Sequence, residues 1–190
     1  MNMKKLLLAL VALAVLVPAN AQRHIYGVKS GILKTITDMS GHKSYNTLTW
    51  DNYGDKEKAV TTTDMGSEIG TWTATVLNVG ERSWGINQNG DAKESTGRPG
   101  INWLKLQDKD IKEMKIQKLG KETYKGKECI KYQYEQKQLM SKAKVTVWVW
   151  EGLVLKQVIE KKTSKAVIEL ESLKLNVSVP ASTFAIPKTN

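Results

Sequence analysis

Few side chains in this sequence could carry out covalent chemistry: one cysteine, Cys129, and two histidines, His24 and His42. A thiol beside an imidazole can act as a nucleophile with its base, so Cys129 with a distant histidine is the candidate catalytic pair. Residues 129–132 alternate in polarity as a strand does, and this setting favours a small buried hydrophobic side chain at Cys129. A reactive thiol or a disulfide between two chains is the alternative.

Motifs for metal, phosphate or hydrolytic chemistry are missing. No cluster of His, Cys and Asp has the spacing of a metal site, and His24 and His42 are eighteen residues apart. No glycine-rich phosphate loop and no nucleophile elbow is present. The sequence therefore predicts a protein that is not an enzyme, with no cofactor and no metal.

The six tryptophans point to binding instead, because Trp suits apolar ligands that have a polar head. Residues 145–150 read Val-Thr-Val-Trp-Val-Trp. Successive side chains of a strand face opposite ways, so the valines share one face while Trp148 and Trp150 share the other. A face in water would show polar residues, so this strand is predicted to be covered on both sides. The core forms one cover; a helix, a second layer or a hydrophobic ligand forms the other.

We expect Trp148 and Trp150 to line a concave apolar face that holds a ligand, with Trp72, Trp84 and Trp103 as further candidates. Lysines at the rim of this face would meet an anionic headgroup. The alternative is that all five are ordinary core aromatics, which are usual in protein interiors.

The elements that must position these residues are mostly strands, because the hydrophobic period is two almost throughout. Short turns between the strands predict an antiparallel meander of nine or ten strands, curled into a half-barrel or left with a cavity. Residues 89–102 are predicted to be a loop, and one short helix is expected at 109–114 with Asp108 as its N-cap. The predicted strands lie at 24–37, 45–50, 59–63, 71–77, 82–87, 115–122, 127–136, 144–151, 153–161 and 166–173.

Residues 1–21 have the three parts of a cleavable secretory signal: Lys4 and Lys5, twelve apolar residues at 6–17, and small residues before the cleavage point. A membrane anchor is the alternative, but about 20 apolar residues are needed to span a bilayer. No cysteine is available there for a lipid anchor. We therefore expect a single β domain at 22–190 that is periplasmic, or extracellular, and soluble after cleavage.

The charge of the expected mature chain is +8, since 27 basic residues face 19 acidic ones once Lys4 and Lys5 are removed. Such a charge serves solubility or attracts the protein to an anionic surface, such as lipid headgroups or acidic polysaccharide. The lysines are spread along the chain, which argues against nucleic acid as a partner.

Four motifs, taken in order and with their spacing, resemble exported proteins of the LolA-like outer-membrane lipoprotein carrier superfamily, particularly uncharacterised relatives common in Bacteroidetes. The resemblance implies a mainly β (α+β) fold: a strongly curved antiparallel sheet, or unclosed half-barrel, with helices over its concave side, of which we expect one or few short ones here. In the carriers, that apolar interior receives the acyl chains of lipoproteins. The motifs lie at 50–56, 118–132, 147–156 and 179–187.

These observations lead to one main hypothesis, a periplasmic binding or carrier protein that holds a lipid, an acyl chain or a lipoprotein-like amphiphile. Its partners would be that hydrophobic ligand and envelope lipoproteins or the membrane surface. Two alternatives remain: a cationic envelope module that binds acidic glycan or a membrane surface, and a structural envelope protein without a small ligand. A hollow concave face would favour the carrier, and a filled one would favour the alternatives.

Overall fold

The structure, a computed structural model, describes residues 24–39, 42–66, 70–95, 97, 100–138 and 141–188. The export signal predicted at 1–21 lies outside the described residues. Within the described ranges, no helix is both long enough and apolar enough to cross a membrane.

The described chain forms eleven strands, one α-helix, α1 (Asp108–Met114), and two short 3-10 turns at Asn52–Gly54 and Ala181–Phe184. The strands are β1 (Gly31–Met39), β2 (His42–Asp51), β3 (Lys56–Asp64), β4 (Thr71–Val79), β5 (Arg82–Ile86), β6 (Ala92–Ser95), β7 (Gln117–Tyr124), β8 (Lys127–Gln138), β9 (Ser141–Trp150), β10 (Leu153–Glu160) and β11 (Lys165–Leu175).

All eleven strands belong to one antiparallel sheet, in the order β6-β5-β4-β3-β2-β1-β11-β10-β9-β8-β7. The sheet is unclosed, with β6 at one edge and β7 at the other, so the predicted fold class is confirmed. The prediction of a single meander is wrong, because β1 pairs with both β2 and β11 and thereby joins two meanders side by side. Turn lengths do not reveal this pairing, since the paired strands are far apart in sequence.

The two faces of the sheet are covered by different parts of the chain. The face that carries Val145, Val147 and Val149 packs against α1 and the loop before it, and we call it the helix face. The opposite face, which we call the outer face, carries Trp148 and Trp150. The apolar residues that α1 and its flanking segments bring to the helix face are Ile101, Trp103, Leu106, Met114 and Ile116.

The N-terminal segment, residues 24–30, closes one end of the sheet. Ile25 and Tyr26 both donate their backbone N–H to the carbonyl of Tyr53, and Gly27 donates to the carbonyl of Glu151. The side chains of Ile25 and Tyr26 are buried in the main core cluster. The strand predicted at 24–37 is therefore wrong in its first part, because the backbone of 24–30 bonds to two turns before β1 begins.

Gly152 is required by this closure. Its φ is +78°, and a Cβ at this position would lie 2.3 Å from the carbonyl oxygen of Ile25. The turn between β9 and β10 can therefore approach the N-terminal segment only without a side chain.

Two further predictions of local structure need correction. The helix begins at Asp108 itself, its N-cap is Gln107, and no side-chain capping bond is formed. The predicted loop at 89–102 contains β6, which pairs with β5 and is held by two hydrogen bonds from the Arg82 guanidinium to Glu94, of 2.8 and 2.9 Å. Because β6 is an exposed edge strand, its sequence lacks the hydrophobic alternation that identifies other strands.

Candidate ligand-binding site

Trp148 is buried on the outer face between two lysines. The sheet register places Lys131 of β8 and Lys156 of β10 directly opposite Trp148, and their Nζ atoms lie 4.6 and 5.0 Å from its ring centroid. Lysine stems cover apolar surface while the ammonium is attracted to the aromatic face, and Trp148 is 6% exposed. The prediction of a strand covered on both sides is confirmed, but here the second cover is the chain's own lysines.

The charges around this ring are balanced in part by Glu122. Its carboxylate accepts a hydrogen bond of 3.0 Å from Lys131. The Trp148 indole N–H makes no hydrogen bond of good geometry in the described chain, but it points towards the Glu122 carboxylate. The pKa of Glu122 lies below its usual value, mainly because of this N–H and secondly because of Lys131. The hydrogen bond to Glu122 therefore helps to hold Lys131 over the Trp148 ring.

Cys129 lies on the same outer face and is fully buried. Burial raises the pKa of its thiol, so the reactive thiolate is disfavoured. We expect a maleimide to label Cys129 in the native protein at least ~100-fold more slowly than in urea, because both access and thiolate are restricted. Mass spectrometry of timed samples measures the rates, and Cys129→Ser gives the background. Equal labelling rates with and without urea would contradict a buried structural cysteine.

The other three candidate tryptophans lie in three different places. Trp84 is 0% exposed on the outer face, where it packs with Leu77 and with Phe184 from the C-terminal 3-10 turn. Trp103 lies in the loop before α1, with its ring 5.3 Å from that of Tyr132. Trp72, on the helix face of β4, is 46% exposed.

The structure therefore does not bring the five predicted residues into one site. Of the five, Trp72 lines one of the cavities described below, and binding of a ligand by any of them remains a prediction.

A first cavity of about 330 Å³ opens on the helix face beside the cover formed by α1. Its lining comes from five strands that are neighbours in the sheet, from β10 to β3. The size is at the lower end of small-molecule sites. Its lining residues are Leu33, Thr35, Thr37, Ser44, Asn46, Leu48, Thr61, Val154, Gln157 and Ile168.

The polarity of the first cavity changes along the strands. Leu33 pairs with Leu48 in the row nearest the N-terminal segment, whereas the next row holds Thr35 paired with Asn46. Asn46 Nδ2 donates to Thr61 Oγ1 at 2.8 Å, which orients the amide and leaves its other groups available. None of the residues that line this cavity in the described chain is charged. We call the apolar part of the cavity, at Leu33 and Leu48, its deep end, and the uncharged, hydrogen-bonding part, at Thr35 and Asn46, its mouth.

In the row of the sheet next to the deep end, Trp50 packs closely with Gly31 and Tyr26, and we call these three residues the floor. Trp50 is 0% exposed, and its indole N–H donates to the carbonyl of Val28 at 3.0 Å. Beside it, the Glu57 carboxylate accepts hydrogen bonds from the Tyr26 hydroxyl and from Asn78 Nδ2, the latter at 3.0 Å. A ligand in the first cavity would therefore lie next to a closely packed floor.

A second cavity, of about 420 Å³, lies on the same face over β4–β6. Its lining includes the apolar Trp72 and Val76, the glycine Gly85, and the charged Asp91 and Lys93. It is more open than the first cavity and its lining is mainly apolar.

Sequence reasoning did not find the residues that line the first cavity. The alternation of Leu33, Thr35 and Thr37 resembles an ordinary half-exposed strand, and only the pairing of β1 with β11 places Ile168 opposite Thr37. Within the described residues, no group of three His, Cys, Asp or Glu side chains could hold a metal ion.

No protein-family model matches the sequence, and no curated protein matches it. A chain of the MucA/MucB complex of Pseudomonas aeruginosa matches with a TM-score of 0.55 and 10% identity, over 88% of this chain and 58% of that one. An uncharacterised conserved protein of Thermus thermophilus matches with a TM-score of 0.52 and 8% identity, over 95% of each chain. The lipoprotein LppX of Mycobacterium tuberculosis matches with a TM-score of 0.39 and 12% identity, over 81% and 91%.

At these identities the likeness concerns the fold alone. Two of the matches exceed a TM-score of 0.5, and the sheet itself is antiparallel and unclosed with a helix on one face. What is confirmed is therefore the fold class that the resemblance implied, an unclosed antiparallel sheet with a helix on one face.

Proposed function

We propose that this protein is a binding or carrier protein of the periplasm that holds a lipid, an acyl chain or a similar amphiphile on its helix face. The observation that carries this proposal is the first cavity, whose apolar deep end and uncharged polar mouth match the two ends of an amphiphile. Leu33 and Leu48 lie where this cavity borders the core cluster around Trp50, so an apolar chain in the cavity would extend the core.

The proposal differs from the sequence-based hypothesis in which residues do the binding. On the outer face, Trp148 is covered by two lysines, and Trp150 is half-buried with Lys127 Nζ 4.4 Å from its ring centroid, so we assign both to packing. Leu33, Leu48 and Val154 take their place as the apolar contacts, and Trp72 is retained as a contact in the second cavity. Envelope lipoproteins and the membrane surface remain the proposed partners, and absence of enzymatic activity remains a prediction.

The test is to extract the exported, purified protein with organic solvent and to analyse the extract by mass spectrometry. We expect an amphiphile in stoichiometric amount, or, if the protein is purified empty, saturable uptake of monolaurin. The absence of both a co-purified amphiphile and saturable uptake would contradict the proposal. If the empty protein instead binds anionic vesicles with an affinity that falls steeply with salt, the cationic envelope module becomes the better assignment.

A further inference from the structure

From Trp72 to Val76, the helix face of β4 is apolar and open, which is unusual for a strand in water; the next residue on this face, Asn78, is buried and donates to Glu57. Trp72, Ala74 and Val76 point to this face, while the alternate residues Thr73 and Thr75 point to the outer face. Trp72 is 46% exposed and Val76 39% exposed. A strand whose second face met only solvent would place polar residues there, whereas here Thr73 and Thr75 lie on the outer face.

One apolar row connects this surface to the first cavity. The register aligns Leu33 with Leu48, Leu48 with Ala59, Ala59 with Val76 and Val76 with Gly85. The row begins in the deep end of the first cavity and ends in the lining of the second. Ala59, between the two, is half-buried and has a small side chain, so it adds little bulk to this row.

Gly85 has no conformational reason to be a glycine. It lies within β5, it is not among the residues with positive φ, and a Cβ built on it would meet nothing within 4 Å. Glycine weakens a strand interior and often marks a place where a ligand approaches the backbone. At the end of an apolar row, the missing side chain leaves space for such a ligand.

We propose that the two cavities are the ends of one trough, and that a single extended acyl chain crosses the strands along the row from Leu33 to Gly85. This inference rests on the proposed function and specifies its ligand as a long-chain amphiphile. The polar head lies at the mouth of the first cavity, among Thr35 and Asn46. The tail end lies over Val76 and Gly85, beside Trp72.

The geometry sets the chain length. Neighbouring strands are about 4.8 Å apart, so the row from β1 to β5 spans about 19 Å along the sheet. With carbon–carbon bonds of ~1.5 Å, an extended chain advances ~1.25 Å per bond, so about fifteen bonds cover the row. Monopalmitin therefore fills the trough, whereas monolaurin and monocaprylin end before β5.

The test measures the affinity of the full chain for these three monoacylglycerols by titration calorimetry below their micelle concentrations. For the wild type we expect affinity to rise across the whole series, about fourfold per buried methylene. In Gly85→Val the added side chain fills the far end of the trough, and we expect monopalmitin to bind at least ~10-fold more weakly. Monocaprylin should bind this variant within about twofold of the wild type, because its chain ends before β5.

Thr73→Val is the matched control, since it adds an apolar β-branched residue to the outer face of the neighbouring strand and should leave all three affinities unchanged. A Gly85→Val protein that binds monopalmitin as well as the wild type does, or a wild type whose affinity stops rising at monolaurin, would overturn the continuous trough. A wild type that binds none of the three would instead overturn the proposed function. Valine is a better strand former than glycine, so the variant is expected to fold.

Discussion

Replacing Leu48 with aspartate is expected to lower the affinity for monolaurin at least ~100-fold, because the ligand would have to bury an unpaired carboxylate. Leu48 stands in the deep end of the first cavity, next to Leu33 and to the floor. None of the cavity's lining residues in the described chain is a cation that could neutralise the new charge.

Thr49→Asp is the matched control for this variant. Thr49 is the next residue of β2, so its side chain points to the outer face, where it is half-buried. The same charge on the same strand is expected to change affinity by no more than about threefold. Urea unfolding of both variants separates loss of binding from loss of fold. If the two variants bind monolaurin equally well while both are folded, the ligand does not lie in the first cavity.

The strands around Trp148 were predictable because their signal is local. Alternation with period two identified β9 and β10, and apolar residues on both faces of β9 correctly indicated a strand with no wet side. What covers the outer face was not predictable, since Lys131 and Lys156 become neighbours of Trp148 only through the register of three strands. Period and composition fix which side chains share a face of a strand, but not which strands pair or in what register.

The same limit explains the missed cavity and the misplaced tryptophans. Thr35, Asn46 and Gln157 have the polarity of solvent-facing strand residues, and they surround a cavity only because β1 joins the two meanders. Trp84 is sealed by Phe184, a residue 100 positions further along the chain. Neither the lining of the first cavity nor the contact of Trp84 with Phe184 has a local sequence signal. The turn after β2 and the helix α1 do have local signals, and both lie close to their predicted positions.

Replacing Trp50 with alanine is expected to lower the free energy of unfolding by about 3–5 kcal/mol, the usual cost of removing a large aromatic side chain from a core. The ring is 0% exposed and stands edge-on to Tyr26, with centroids 5.3 Å apart. It also lies directly on Gly31, where a Cβ would come within 2.3 Å of it. Alanine would leave a cavity and would remove the hydrogen bond of 3.0 Å to the carbonyl of Val28.

Trp72→Ala provides the comparison, because it removes the same side chain from a site that is 46% exposed. We expect it to cost about 1 kcal/mol or less. Since small domains are stable by about 5–15 kcal/mol in total, Trp50→Ala should shift the urea midpoint strongly and Trp72→Ala only slightly. Trp50→Phe, which keeps an aromatic ring, should fall between them. If Trp50→Ala and Trp72→Ala shifted the midpoint equally, the floor formed by Trp50, Tyr26 and Gly31 would not be the closely packed base next to which we place the ligand.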